Sequence, residues 1–360
     1  MGKQLITTKQ AISILIFFLL GTALVLTPGA EAKQDVWIVL LLAMAAALPM
    51  YFIYGRILYL FPDKDLYSIA NQLFGAVLGR MITLFYIWYA IHLGALIFRN
   101  FSEFVQIVTF INTPQTVTII AAGVTIIVFC KSGIEAIGRW ASFMLPVILI
   151  LFLNNMIFSI PNMNIDHLKP VLFEGMEPVM GSVFTVLSFP FLEAVLFIGV
   201  FNTLKEKEKI YKVFFIGLLI SGLLGLGTNL RNLLTMGVDL VQITYFPTYT
   251  ATKLIGIGEL LERTEITIAV ALSFFGLIKV SICVLVASKG IASFFSLSDH
   301  KSVIVPVTLV MMSLASLLYG NVMEMFDWAI NIYRYYAIPF QFILPLLIYA
   351  AAELRVRRSN

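Results

Sequence analysis

Apolar residues fill this chain in long blocks joined by short polar turns. Blocks long enough to cross the hydrocarbon as helices, about 17 to 25 residues or slightly more, fall at roughly 9–29, 36–60, 81–108, 115–131 and 137–160. A second set of five follows at roughly 179–202, 210–235, 264–291, 303–320 and 328–352. The pattern predicts an all-α integral membrane protein with ten transmembrane helices forming one membrane domain over residues 1–360. An odd number of crossings per half gives the halves, about 9–160 and 179–352, opposite orientations. The arrangement therefore reads as a five-plus-five inverted repeat.

Two blocks carry breaks at corresponding places. In the first, Gly21-Thr22-Ala23-Leu24-Val25-Leu26-Thr27-Pro28 sets a conformationally free glycine and a proline without an N–H inside a span. In the sixth, Ser188-Phe189-Pro190-Phe191-Leu192-Glu193 sets a proline beside a lone carboxylate. Broken helices free amides that can hold a ligand carboxylate and carbonyls that can hold an ammonium or a cation. Matched breaks mark a ligand site near the middle of the membrane. For the first span alone, the competing reading is a packing glycine with a proline at the span's outer end.

Composition narrows the function classes. The chain is 60% hydrophobic and 12% charged, against about 25% charged in a soluble domain. Its net charge of +4 is spread over short loops, which excludes a nucleic-acid surface. Most of its 24 Lys and Arg residues fall on the side of the N-terminus, so the positive-inside rule places both termini in the cytoplasm. Cys130 and Cys283 lie in apolar stretches and build no disulfide framework. Lys3, Lys9, the apolar run from Ala11 and Ala30-Glu31-Ala32 imitate a signal peptide, but the five-plus-five pattern needs this segment as a retained span. The three histidines lie on different elements, and no metal-ligand cluster, phosphate loop or catalytic arrangement occurs. The expectation is a non-enzyme with no catalytic residues, no metal and no cofactor.

The chemistry lies inside the spans. Glu193 sits near the centre of its span, where a charge costs at least about 2.5 to 3.5 kcal/mol, and Lys279 is equally deep in the eighth. A buried lysine either loses its proton or finds an anion or carbonyls; a direct pair with Glu193 is one of these outcomes, serving a ligand or only the structure. Ser273, Gly276, Lys279 and Cys283 make one small or polar face of the eighth span, and Tyr86, Tyr89, His92 and Leu93 occupy neighbouring turns of the third. His92 reads as a packing histidine. Arg99 and Glu103 read as a local i,i+4 pair, Arg334 as an aromatic-belt residue, and Lys205-Glu206-Lys207-Glu208-Lys209 as a solvated turn. Residues 161–178 are expected to fold as a cap, with Asp166, Glu174 and Glu177 set against Lys169, and 250–262 as short interfacial helices after Tyr245-Phe246-Pro247. Both are gates or plain connectors.

These residues resemble the spore germination permease family, the B subunits of GerA-type germinant receptors in the amino acid/polyamine/organocation superfamily. The resemblance covers essentially the whole chain. It is most specific at Gly21 through Pro28, at Asp35-Val36-Trp37-Ile38, and at Asn164-Ile165-Asp166-His167-Leu168-Lys169-Pro170-Val171-Leu172-Phe173-Glu174-Gly175. Glu262-Arg263-Thr264-Glu265, followed by Phe275 and Lys279, also fits the family pattern. The resemblance implies a LeuT-like fold with helices 1 and 6 broken around a germinant pocket. Tyr89 and Leu93 match its pocket positions on span three, and Ile278 or Lys279 the one on span eight. With Gly21, Thr22, Ala23, Phe189 and Glu193 from the breaks, these form the expected ligand-binding set. Lys279 falls where many relatives hold sodium, implying a sodium-independent protein, and Pro190 departs from the family pattern.

The implied setting is the inner membrane of the endospore, surrounded by membrane lipid, with A and C receptor subunits as partners and an amino acid or similar small nutrient as germinant. Two other readings stay open: an amino acid transporter, proton-coupled or uncoupled, and a scaffold with a vestigial pocket.

Overall fold

The computed structural model describes residues 4–255 and 264–359. Helix α1 (Thr8–Leu26) starts at Thr7, whose hydroxyl accepts from the Gln10 N–H while the Gln10 side chain accepts from Thr7 N–H. Its 19 residues extend about 28 Å at 1.5 Å per residue, close to the thickness of the hydrocarbon. The first half continues with α2 (Val36–Leu60), α3 (Leu66–Val108), α4 (Gln115–Ser132) and α5 (Ile134–Ser159). The second opens with α6 (Glu177–Ser188) and a 3-10 segment, Phe191–Gly199. Then come α7 (Ile210–Ile243), the short α8 (Pro247–Lys253), α9 (Thr264–Phe294) and α10 (Ile304–Ala315). The last block runs through α11 (Val322–Asp327), α12 (Tyr333–Tyr336) and α13 (Leu344–Ser359), with π turns at Trp328–Ile332 and Pro339–Ile343.

Among the described residues, nine helices are long and apolar enough to cross a membrane. The expected span at 303–320 corresponds to a shorter apolar helix, His300–Ala315. Helix α3 begins well before residue 81 because Asp65 caps it at the Ser68 N–H, 2.9 Å away. Gly75, at φ 77°, kinks this lead-in away from the crossing. Helices in equivalent positions of the two halves pack together: α2 on α7, α3 on α9 and α4 on α10. Helix α1 and the Phe191–Gly199 segment are buried almost throughout and form the centre of the bundle.

The two expected breaks turn out differently. The sixth span breaks where the sequence placed it: Phe189 is extended (φ −137°, ψ 109°), and Pro190 has no N–H with which to continue the ladder. The first runs unbroken through Gly21 to Leu26 and stops only at Thr27, left-handed at φ 44°, followed by Pro28 and Gly29 at φ 93°. A glycine costs a helix only about 1 kcal/mol, whereas a proline disfavours helix at the residue before it. The interruption therefore falls at the end of the span.

Of the expected cap at 161–178, Glu177 instead opens α6, while the preceding residues form short 3-10 turns, Ile160–Asn162 and Ile165–Leu168, and tie onto other elements. The Leu172 N–H donates to Asp35 Oδ1 at 3.0 Å, Gln34 Nε2 to Pro170 O at 2.8 Å, and Asn164 N–H to Leu234 O at 2.9 Å. Lys169 pairs with Asp166 at 3.0 Å, while Glu174 pairs with Lys33. Of the second loop, α8 is seated on α7 by the buried Arg231, which donates to Thr252 Oγ1 and Thr248 O at 2.9 Å each and to Asn155. Residues 256–263 of that loop, with Glu262 and Arg263, lie outside the described residues.

The run from Lys205 to Lys209 is a clasp more than a solvated turn. Ile6 N–H donates to Thr203 O and Lys205 N–H to Ile6 O, both at 2.9 Å. Glu206 accepts from the backbone and hydroxyl of Thr8 and from Lys209. An acceptor is stabilising at this helix N-terminus, where backbone donors lack partners.

Candidate functional site

The break in the sixth span turns Glu193 inward against α1 and α9. Lys279 Nζ lies 2.5 Å from Glu193 Oε2 and donates to Thr22 Oγ1 at 2.9 Å, with both members of the pair at 0% exposure. The ammonium also lies 5.1 Å from the ring centre of Phe18 and 5.3 Å from that of Phe189. The other carboxylate oxygen accepts from Tyr333 OH at 2.8 Å. Tyr333 OH is 2.9 Å from Tyr89 OH, which accepts from Gln341 Nε2 at 2.8 Å, and Gln341 also donates to Ser188 O at the break. One polar chain thus links α1, α3, the break, α9 and the last block. In a low-dielectric interior such a chain is stable only because its charges and hydroxyls are paired.

A cavity of about 20 Å³ lies against this chain, with Thr22, Leu93, Phe189, Glu193 and Tyr333 in its wall. That volume holds about one water. Tyr319 and Trp328 line both this cavity and a wider vestibule of about 430 Å³ that carries Glu324 and Asp327. A larger groove of about 250 Å³ between α3, α4 and α9 is walled by groups such as Phe98, Ile119 and Leu277 and has no charged residue. It lacks the chemistry of a polar site.

Of the expected set, Thr22, Leu93, Phe189, Glu193 and Lys279 come together here. Tyr89 joins through Tyr333. Gly21 lies behind Lys279, and Ala23 faces a neighbouring small cavity with Pro28 and Pro190. Ile278 is buried beside its neighbour Lys279 and does not line this cavity. The small face of α9 serves mainly close packing: Gly276 faces the ring of Phe101, and Cys283 faces Gly94. His92 is the expected packing histidine, stacked on Trp88 at 5.3 Å with Trp328 and Tyr336 edge-on.

Sequence reading missed Tyr333, Gln341, Asn100 and Trp328. Tyr333 was hidden among the aromatic belt around Arg334. A polar amide inside an apolar block, as at Gln341 and Asn100, was the available signal.

Residues 5–321 match the family model described as spore germination protein. The chain belongs to this family of spore germination proteins. It is 29% identical to spore germination protein KB of Bacillus subtilis (strain 168) over 364 residues, covering 100% of this chain and 98% of that protein. To spore germination protein A2 of the same organism it is 27% identical over 367 residues, covering 98% and 96%. Two solved transporters share the fold of this spore germination protein at 10% identity. The nucleobase-cation-symport-1 family transporter Mhp1, closed with bromovinylhydantoin bound, has a TM-score of 0.70 over 96% of this chain and 78% of its own. MhsT in complex with L-phenylalanine has 0.70 over 98% and 90%. The LeuT-like architecture and the multi-pass membrane character of this spore germination protein follow.

Proposed function

We propose that this chain is the ligand-sensing B subunit of a germinant receptor, binding an amino acid or similar small nutrient in the cavity beside Glu193. The supporting observation is the sealed pair of Glu193 and Lys279, set at the break of the sixth span and wired through Tyr333 to Tyr89. A ligand entering the cavity must displace parts of this network. It thereby favours a state whose helices sit differently, and only such differential binding signals. Thr22, Leu93, Phe189, Glu193 and Lys279 form the ligand-binding set in this reading, with Tyr89 reaching it through Tyr333, while Gly21, Ala23 and Ile278 lie outside the cavity wall. Lys279 supplies the charge that a sodium ion would supply between α1 and α9.

The setting belongs to the proposal: the inner membrane of the endospore, both termini cytoplasmic, with A and C subunits carrying the signal onward. The test is the nutrient dose response of spores bearing Tyr89→Ala or Glu193→Gln at unchanged receptor levels. A dose response unchanged in both variants sinks the sensing role. The fold shared with Mhp1 and MhsT favours a second reading, in which the chain transports its ligand. Uptake of radiolabelled amino acids into proteoliposomes decides it, and zero flux with intact binding removes it.

A further inference from the structure

Helix α3 presents two faces to two different spaces. Leu93, Leu96, Ile97 and Asn100 line the cavity beside Glu193, while Phe98, Phe101, Ser102 and Val105, on the other side of the helix, line the apolar groove against α4 and α9. That groove of about 250 Å³ continues into a second of about 320 Å³, because Val105 and Ser273 line both. The second ends at Val108, the last residue of α3, and at Tyr249 of α8. No charged residue stands in either wall. The hydroxyls of Ser102, Thr125 and Ser273 donate to the carbonyls of Arg99, Ala121 and Ala269 at 2.8, 3.0 and 2.9 Å, so each is satisfied by its own helix. The rim faces the bilayer: Val117, Ile120 and Val124 of α4 and Val270 of α9 are exposed apolar residues within spans.

Length decides what fills this groove. From Phe98 to Val108, α3 rises about 15 Å at 1.5 Å per residue, half of the roughly 30 Å hydrocarbon. The deep end lies at Val280, next to Lys279, and the other at Tyr249, a residue type at home among lipid head groups. A partner helix would run on through the opposite leaflet, where the groove does not continue, whereas a phospholipid tail ends at the mid-plane. Left empty, the groove would forfeit dispersion contacts along its whole wall. We infer that it is a binding site for one acyl tail of a bilayer phospholipid, entered from the membrane face on which α8 lies. The bound tail lies one helix away from the Glu193 cavity, against the same α3 that walls it. This site does not depend on whether the protein senses its ligand or transports it.

The test reconstitutes the full-length protein in vesicles of phosphatidylethanolamine and phosphatidylglycerol. A fraction of the phosphatidylglycerol carries a photoactivatable diazirine halfway along one tail, and labelled residues are mapped by mass spectrometry after illumination. Residues 118–126 and 273–280 are expected to carry about tenfold more label than the exposed Leu41, Leu42 and Leu48 of α2, a one-decade preference for the site. Equal labelling of the two surfaces means ordinary lipid contact only and overturns the site. Ala122→Trp, which puts an indole into the groove, removes the excess label, while Val124→Trp on the exposed side of α4 keeps it. Excess label surviving Ala122→Trp overturns the placement, and the wild-type ratio decides the site even where that variant misfolds. In detergent, unlabelled phosphatidylglycerol competes for the groove and palmitate does not; displacement by palmitate alone assigns it to a free fatty acid and overturns the phospholipid. Loss of the excess label on co-expression with the proposed A and C subunits hands the groove to a subunit and overturns lipid as its occupant in the receptor.

Discussion

Gly21 of α1 lies flat against the side chain of Lys279: a Cβ at position 21 would stand 2.8 Å from Lys279 Cδ and 3.2 Å from Lys279 Cβ. The absent side chain lets the lysine stem cross α1 and carry its ammonium to Thr22 and Glu193. Helix propensity alone would make Gly21→Ala stabilising by about 1 kcal/mol. Because Lys279 is held at its tip, overpacking wins, and Gly21→Ala is expected to destabilise by about 1–3 kcal/mol. Equilibrium unfolding in detergent decides the sign, and a stabilised variant refutes the packing role.

Glu193 and Lys279 form a coupled unit. Either Glu193→Gln or Lys279→Met alone leaves a buried charge or donor group without its partner and should cost about 3–5 kcal/mol. The double variant should recover most of that loss while the nutrient response stays absent. Additive losses in the cycle would falsify direct coupling.

Tyr333 relays between Tyr89 and Glu193, with its hydroxyl 2.8 Å from the carboxylate. Tyr333→Phe keeps the ring packing and removes a hydrogen bond to a charged acceptor, worth about 1.5–3 kcal/mol. The expected outcome is a folded protein with a weakened nutrient response. Wild-type dose dependence in this variant would mean the relay is not used.

Trp328 lines both the cavity and the vestibule. Trp328→Ala is expected to speed labelling of a cysteine placed at Leu93 by a polar thiol reagent at least tenfold. Equal labelling rates with and without the indole would place the barrier elsewhere.

The clasp on α1 is pH-sensitive. Hydrogen bonding from Thr8, and then Lys209, holds the Glu206 carboxyl at about 2. A depressed folded value means its contribution is complete above the unfolded carboxylate value of about 4.3 and is lost as pH falls through about 2. Hydrogen exchange at Ile6 and Lys205 should therefore show protection decreasing between pH 4 and 2 beyond the intrinsic exchange trend. Glu206→Gln should show no such added decrease, and identical profiles for the two proteins refute the linkage.

The spans, the break at Pro190 and the deep charges at Glu193 and Lys279 were legible because each is a local property: block length, a missing N–H, and a charge where the bilayer penalises it. The pairing of Arg99 with Glu103 was legible through helical spacing. The placement of the first interruption was not. Proline and glycine announce a break, but whether the helix survives past Gly21 depends on what packs there, and that neighbour is 258 residues away at Lys279.

What the sequence by itself determined is the membrane class, the helical architecture and the presence of two deep ionisable groups, since hydrophobic length and charge inside a span are set residue by residue. The tertiary structure decided which groups complete the site. Tyr333 reaches Glu193 across 140 positions, Gln341 reaches Tyr89 across 252, and Asn100 and Trp328 meet in the wall of one cavity. Hydrogen bonds act over about 3 Å, and only the folded bundle brings such distant residues within that reach.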